Sequence, residues 1–264
     1  MPKQNAPIKS TSGEGFTFED KVVAYFLCRL LSGVVTFGAE LGRLVRLDCQ
    51  VRSQGWEFDD LFLSFKSTGQ PARCALSIRS NRQFTAVSAP TDLVNTAWSQ
   101  LLHLQSSVFD ADRDYFGIVT AKHSPEVRES INTLIKLARG QEPSALQAHV
   151  LAPGSVSSET ARLHDSFKCP SEFTKLDTLQ APGAVLRRFC FSEFDFDEAV
   201  SEQEATALSL CEQALFEGTL EGARSLWESL LVLANNTRTK GGYLDLPSLL
   251  ASLRNRFALW FLHK

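Results

Sequence analysis

Residues 57–82, EFDDLFLSFKSTGQPARCALSIRSNR, decide the fold because they predict a β-hairpin that carries its own charged groups. The run 57–65 is apolar and β-prone, a cluster of turn formers follows it, and 72–80 is a second short apolar run. Asp59 and Asp60 stand inside the first of these strands, where a carboxylate is costly unless it has a partner or a metal ion. The hairpin is therefore both the predicted centre of the sheet and the first place to look for a site.

The return strand of this hairpin places Ser77 and Arg79 on one face, because side chains in a strand alternate with a period of two. The same alternation lets only one of the two neighbouring aspartates share that face, and we predict that it is Asp60. On the hairpin alone, the favoured interpretation is a structural salt bridge between Arg79 and one aspartate.

Composition describes an ordinary globular chain. It has 264 residues, 44% of them hydrophobic and 22% charged, which is enough to bury a substantial core in one large domain or two. The formal net charge of −3 gives no global field for nucleic acid, so phosphate binding requires a local basic cluster. Two such clusters are candidates, the first formed by Arg43, Arg46 and Arg52, the second by Arg73, Arg79 and Arg82.

The six cysteines are widely spaced and include no CxxC pair, so they predict small buried hydrophobic side chains and not a zinc site. Free thiols of this kind persist in a reducing compartment. The N-terminal residues show no apolar signal segment, and no run reaches the length of a membrane span. We therefore predict a cytoplasmic protein without a membrane partner.

The first predicted helix follows a polar leader, residues 1–15. Thr17 and Asp20 have the spacing of a capping box, and an apolar stripe at helical spacing follows. At 100° per residue Glu19 falls near the middle of that stripe, so a carboxylate is predicted to point inward at a helix N-terminus. The favourable helix dipole alone is a sufficient explanation for a single glutamate at this position.

Further elements are predicted by the same periodicities. The predicted strands besides the hairpin are 43–51, 114–121, 148–152 and 184–196, and the predicted helices are 91–109, 124–139, 198–216, 220–235 and 246–262. A meander followed by strands that alternate with helices predicts an α/β fold with a mixed central sheet flanked by helices, followed by a helical C-terminal tail. We expect an α/β domain over 16–195 and a helical linker over 196–264 that leads to further domains of a larger protein.

Familiar catalytic signatures are missing from the sequence. It contains no GxxxxGK[ST] loop, no GxGxxG after a strand, no HExxH and no GxSxG. His103 and His123 are interpreted as incidental histidines. What remains is an order of charged residues along the chain, which begins at Glu19 on the first helix, passes through Asp59 and Asp60, and ends at Arg79.

This order resembles the core of the restriction-endonuclease-like PD-(D/E)xK nucleases. Four segments, GFTFEDKVVAYFL, GWEFDDLFLSF, ALSIRSNRQF and GIVTAKHSPEVRESINTLIKLARG, are similar to the double-stranded DNA nuclease effector domain of bacterial antiphage STAND NTPases and CD-NTase-associated nucleases. The resemblance covers roughly residues 15–195. It implies a DNA endonuclease effector of antiviral defence, with double-stranded DNA as partner and homo-oligomerisation through further domains.

The resemblance also implies a site. Glu19 with Asp60 or Asp59 would hold Mg²⁺ through carboxylate oxygens, and Arg79 would stabilise charge on the phosphate. The third motif departs from the family pattern, since Ser77 stands where the family has Glu or Gln, and Arg79 where it has Lys. Because a guanidinium prefers a bidentate carboxylate, Arg79 is predicted to pair with Asp60 and to compete with the metal.

Three functions stay open on the sequence. The chain is a metal-dependent endonuclease effector, or a catalytically degenerate form of that fold that binds nucleic acid, or an interaction and oligomerisation module in which the charged residues form a buried ion pair. Cleavage and binding assays distinguish the three.

Overall fold

The computed structural model of the chain describes residues 16–37, 41–66, 71–81, 84–102, 108–173 and 181–259. Its strands form a six-stranded mixed sheet with the order β5-β4-β3-β2-β1-β6. The strands are β1 (Arg43–Cys49), β2 (Leu61–Lys66), β3 (Ala72–Arg79), β4 (Asp114–Ala121), β5 (Phe189–Phe194) and β6 (Tyr243–Asp245). β1 pairs antiparallel with β2 and β6, β2 pairs antiparallel with β3, and β3, β4 and β5 are parallel.

Helices cover both faces of this sheet. They are α1 (Phe18–Ser32), α2 (Thr91–Leu101), α3 (Pro125–Gly140), α4 (Pro143–Leu151), α5 (Ser158–Ser166), α6 (Pro182–Arg188), α7 (Glu202–Ala214), α8 (Leu220–Lys240) and α9 (Leu246–Leu253). The predicted fold class, a mixed α/β sheet flanked by helices with a helical C-terminal part, is confirmed. Among the described helices none is both long and apolar enough to cross a bilayer.

The sheet separates two hydrophobic cores, and the hairpin shows how alternation divides them. Leu61 and Leu63 of β2 face the core formed with α1, α7, α8 and α9, whereas Phe62 faces the core formed with α2 to α6. The C-terminal helices thus share one core with α1. The proposed boundary at residue 195 stays a prediction.

The first helix begins as predicted. The Thr17 hydroxyl accepts from the Asp20 backbone N–H at 3.2 Å, and the Thr17 N–H donates to the Asp20 carboxylate at 3.0 Å, which completes a capping box. β4 also matches its predicted bounds, 114–121. The hairpin is confirmed with the register Leu61↔Leu76.

Several predicted boundaries are wrong. β2 begins at Leu61, so Asp59 and Asp60 precede the strand, because Trp56 and Phe58 are buried among side chains under α2 and Phe58 stacks on Phe116 at 5.2 Å. Residues 148–152 belong to the end of α4 and the turn after it, not to a strand, because the helix starts at Pro143.

The strand predicted over 184–196 is instead helix α6 followed by β5. The helices predicted over 91–109 and 246–262 end at Leu101 and Leu253, and residues 103–107 and 260–264 lie outside the described residues. So do the leader 1–15, His103 and Arg82. The short edge strand β6 was not predicted.

Candidate functional site

The site predicted on the hairpin is built where β3 ends beside the segment that leads into β2. Asp60 directly precedes Leu61, whose register partner on β3 is Leu76, so the end of β3 passes the Asp60 carboxylate. Arg79 donates from Nη1 to Asp60 Oδ2, and the Ile78 backbone N–H donates to the same oxygen at 2.9 Å. The predicted pairing of Arg79 with Asp60 is present in the structure.

This pair is neither buried nor free in solvent. The Arg79 and Asp60 side chains are 33% and 31% exposed, and Arg79 Nη1 is further fixed by donation to the Ile78 carbonyl oxygen at 2.8 Å. Ser77, two residues earlier on β3, is partly exposed. A carboxylate oxygen that already accepts from a guanidinium and a backbone N–H has little capacity left for a cation.

Asp59 has a different partner from Asp60. Arg52 Nη1 lies 3.8 Å from Asp59 Oδ2, and the Arg52 side chain is 69% exposed. The Asp59 carbonyl accepts from the Val51 backbone N–H at 2.9 Å. Asp60 is therefore the aspartate that contacts Arg79.

Glu19 is held by a residue that the sequence analysis did not consider. Arg238 of α8 places Nη1 3.4 Å from Glu19 Oε2, and the Glu19 side chain is 41% exposed. The inward-pointing carboxylate of α1 is that of Asp20, which has no exposed surface. The predicted inward orientation belongs to Asp20 because this residue closes the capping box and meets Arg238.

Asp20 forms the most completely satisfied carboxylate of this region. It accepts from Arg238 Nε at 2.8 Å, from Asn235 Nδ2 at 3.2 Å and from Thr17. Burial alone would raise the pKa of Asp20, but the hydrogen bonds from Arg238 and Thr17 outweigh it and hold this pKa below its usual range. Arg238 thus joins α8 to the start of α1.

The predicted metal ligands do not assemble into a donor set. Asp60 is occupied by Arg79, Asp59 by Arg52 and Glu19 by Arg238. Within the described ranges no group of three or more His, Cys, Asp or Glu side chains is placed to hold a metal ion. In this arrangement the three carboxylates do not form a donor set for Mg²⁺. The predicted binding of Mg²⁺ is untested and stays a prediction.

The second basic cluster predicted from sequence is also used within the fold. Arg73 forms an ion pair with Asp114, a carboxylate with no exposed side-chain surface, and donates to the Val108 carbonyl oxygen at 2.8 Å. Arg82 lies outside the described residues. The hairpin therefore contributes fewer available cations than the sequence suggests.

His123 has a role that sequence reasoning missed. Its Nε2 accepts from the Phe84 backbone N–H at 3.1 Å, so its Nδ1 carries the proton and donates to Glu193 Oε1 at 2.8 Å. The His123 and Glu193 side chains are nearly buried. His123 connects the loop before α3 to β5, and no spacing in the sequence reveals a partner 70 residues away.

Comparison with known proteins gives only distant likenesses. No family model and no curated protein matches the sequence. Among solved structures, the chain is similar to an Acinetobacter baumannii Cap4 SAVED/CARF-domain containing receptor with the cyclic trinucleotide 3'3'3'-cAAA, at 12% identity and a TM-score of 0.47, over 92% of this chain and 45% of that one.

A Moraxella osloensis Cap4 SAVED/CARF-domain containing receptor matches at 12% identity and a TM-score of 0.48, over 93% of this chain and 49% of that one. The chain thus spans less than half the length of each of these two receptors. Likenesses this distant assign no ligand to the chain.

These comparisons correct the predicted family. Four of the matching structures are described as receptors, two of them with cyclic trinucleotides, and none of these four is described as a nuclease or as bound to double-stranded DNA. The predictions of a nuclease effector family, of endonuclease function and of double-stranded DNA as partner are contradicted. The geometry agrees with this correction, because the Asp60 carboxylate is already engaged by Arg79.

Proposed function

We propose that the chain is a binding module for nucleic acid that does not hydrolyse it. The observation that carries the proposal is the contact of Arg79 and the Ile78 N–H with one oxygen of Asp60. In this arrangement Oδ2 of Asp60 is already occupied, and the other predicted metal ligands, Asp59 and Glu19, have arginine partners of their own.

Arginine at this position favours the closed arrangement over catalysis. A guanidinium is planar and permanently charged, so it holds a carboxylate in a fixed geometry. A Mg²⁺ ion would have to displace Arg79 and also give up its own tightly held water. About one third of each side chain is exposed, so the ion pair contributes only a modest energy. Its obstruction of metal binding at Asp60 is therefore local and does not depend on a buried charge.

Binding requires less than catalysis, since arginine side chains that keep donors for phosphate oxygens are sufficient. The described surface offers such side chains on a chain whose net charge is only −3, among them Arg52, which is 69% exposed, and Arg188, which is partly exposed. A setting in antiviral defence and a cytoplasmic location stay predictions.

The test is a cleavage assay beside a binding assay on the same preparation. A dye-labelled single-stranded oligonucleotide is incubated with the wild-type chain in Mg²⁺, in Mn²⁺ and in EDTA, and fluorescence anisotropy is followed before the products are separated. We expect salt-sensitive binding that does not need a divalent ion, and no products. Metal-dependent products from the wild-type chain would overturn the proposal.

The Arg79→Lys variant tests whether the ion pair between Arg79 and Asp60 prevents hydrolysis. Lysine keeps the charge but presents a compact, flexible ammonium that leaves the Asp60 oxygens more accessible to a cation. Products that appear with Arg79→Lys in Mg²⁺, and not with the wild type, would show that the ion pair prevents hydrolysis. If both forms stay inactive, the pairing of Glu19 with Arg238 and the serine at position 77 are a sufficient cause. Circular dichroism confirms that the variant is folded.

A further inference from the structure

A groove of about 800 Å³ lies at the end of the sheet where β4 and β5 begin. We call it the Tyr115 groove. Its lining comes from the start of β4 and the ends of α3 and α6, and consists of Tyr115, Arg139, Gly140, Gln141, Glu142, Arg187 and Arg188. Three arginines and one glutamate give this small surface a formal charge of +2, in contrast to the net charge of −3 of the whole chain.

The arginines of the groove are already ordered. Arg187 donates from Nε to the Ala138 carbonyl oxygen at 3.2 Å, and Arg139 donates from Nη2 to the Phe189 carbonyl oxygen at 3.2 Å. A ligand that meets side chains fixed in this way does not have to restrict their rotamers on binding, so less of the interaction energy is lost.

Tyr115 lies next to two guanidinium groups in the lining of the groove. The Cζ atoms of Arg139 and Arg188 lie 5.5 Å and 5.4 Å from the centroid of its ring. Planar guanidinium groups and aromatic rings are the surfaces on which unpaired bases stack, and the same guanidinium edges donate to phosphate. The groove therefore combines both requirements for binding a nucleotide chain.

Arg188 is the arginine with the most capacity for a ligand. Within the described part of the chain it makes one hydrogen bond, from Nη1 to the Asp112 carbonyl oxygen at 3.1 Å, so most of its donors stay available. Arg187, in contrast, also faces Glu142, whose carboxylate lies 3.1 Å from Nη2 and is 76% exposed. A phosphate that enters the groove competes with Glu142 for the Arg187 guanidinium.

From these observations we propose that the Tyr115 groove binds a short single-stranded oligonucleotide, which rests on the proposed function and gives it a location. The volume is within the range of about 300–1,000 Å³ that is typical of sites for compact ligands, so it suits a few nucleotides and not the side of a duplex. Recognition of unpaired bases by stacking is also unavailable to a paired duplex.

The groove is separate from the hairpin site. Arg79 is paired in register with Thr120 and Cys74 with Tyr115, so at about 3.3 Å per residue the two places are roughly 16 Å apart along the sheet. Substitutions at one place therefore report on that place alone.

The experiment measures binding of a dye-labelled single strand of about six nucleotides by anisotropy, with unlabelled single strand, a hairpin duplex and inorganic phosphate as competitors. Arg188→Ala is expected to weaken binding at least about tenfold, because it removes a charged donor, and to reduce the slope of log Kd against log salt by about 0.7. Glu142→Gln is expected to tighten binding, since it removes the competing carboxylate. Arg224→Ala, at an exposed position of α8, is the matched control and is expected to leave the affinity unchanged.

Three outcomes would overturn the proposed binding of a single strand at the Tyr115 groove. They are wild-type affinity in Arg188→Ala, stronger competition by the duplex than by the single strand, and loss of binding in Arg79→Ala while Arg188→Ala still binds. None of these affects the proposed function, which instead fails if the wild-type chain cleaves the strand. If the wild-type chain does not bind the strand at all, both proposals fail. Thermal unfolding of each variant separates weakened binding from weakened folding.

Discussion

Arg79 donates to the carboxylate of Asp60, the aspartate that the sequence predicts on its face of the hairpin. Each side chain is about one-third exposed, so water screens the pair and its contribution to folding is small. The contact matters because it opposes the binding of a metal ion at Asp60 Oδ2. Its energetic weight can be measured independently of any ligand.

Asp60→Asn is expected to lower the free energy of unfolding by no more than about 1 kcal/mol. The amide keeps a carbonyl oxygen for the Ile78 N–H, and only the charge is lost. Urea unfolding at neutral pH measures the change, with Asp59→Asn as the control because its partner Arg52 lies 3.8 Å away and is largely exposed. A loss several times larger would mean that the pair is a principal support of the hairpin.

Asp20→Asn is expected to cost on the order of 2 kcal/mol at pH 7, because it weakens the charged hydrogen bond from Arg238 Nε at a residue with no exposed surface. The pKa of Asp20 is lowered in the fold, so its contribution is complete above the unfolded value of about 3.9 and is lost as pH falls through the lower folded value. Stability measured from pH 7 down to pH 2 should therefore fall less steeply in the variant.

Glu19→Gln is the matched control for Asp20, since it shares Arg238 but is 41% exposed. It should change stability by a few tenths of a kcal/mol at most, roughly the value of a surface pair. Equal losses from Glu19→Gln and Asp20→Asn would contradict the assignment of Asp20 as the buried partner.

Gly117→Ala is expected to destabilise the protein by about 1–3 kcal/mol through overpacking. A Cβ at this position of β4 would lie 1.9 Å from the Cys190 carbonyl oxygen of β5, so the two strands would have to separate. Gly140→Ala is the control, because no atom lies within 4 Å of its Cβ position, and it should cause no loss. Thermal unfolding of both variants gives the comparison.

The thiols should react with iodoacetamide in an order set by burial. Burial raises the pKa of the Cys49 thiol to about 12, helped by the neighbouring Asp48 charge, and burial with a hydrogen bond to Cys211 raises the pKa of Cys28 well above its usual value. Because the thiolate is the nucleophile, both should resist labelling at pH 8 until the protein unfolds.

Cys169 is partly exposed, so it is expected to be the first cysteine labelled in the folded protein. Mass spectrometry of timed samples reads the order, and Cys169→Ser should remove the fast phase. Rapid labelling of Cys28 in the folded chain would show that α1 and α7 separate readily, since Cys28 and Cys211 lie 3.5 Å apart between them.

The elements that could be predicted are those whose signals are local. The capping box at Thr17 and the bounds of β4 depend on residues a few positions apart. α4 and α6 were missed because their apolar residues were assigned to strands, although Pro143 and Pro182 stand at their first turns.

The parts of the site that could not be predicted depend on partners distant in sequence. Arg238 contacts Glu19 from α8, and Glu193 reaches His123 from β5. The groove likewise gathers Tyr115, Arg139 and Arg188 from three elements. No periodicity along the chain indicates these contacts between residues distant in sequence.

The contact between Asp20 and Arg238 can form only late in the synthesis of the chain. The two residues are 218 positions apart, and α1 packs on α7 and α8. At roughly 5–20 residues per second, α1 leaves the ribosome on the order of 10–40 s before its helical partners exist. During that interval Phe26, Leu27 and Leu30, all buried in the finished protein, lack their native neighbours. We therefore expect the apolar face of α1 to stay uncovered in the nascent chain until α7 and α8 have been synthesised.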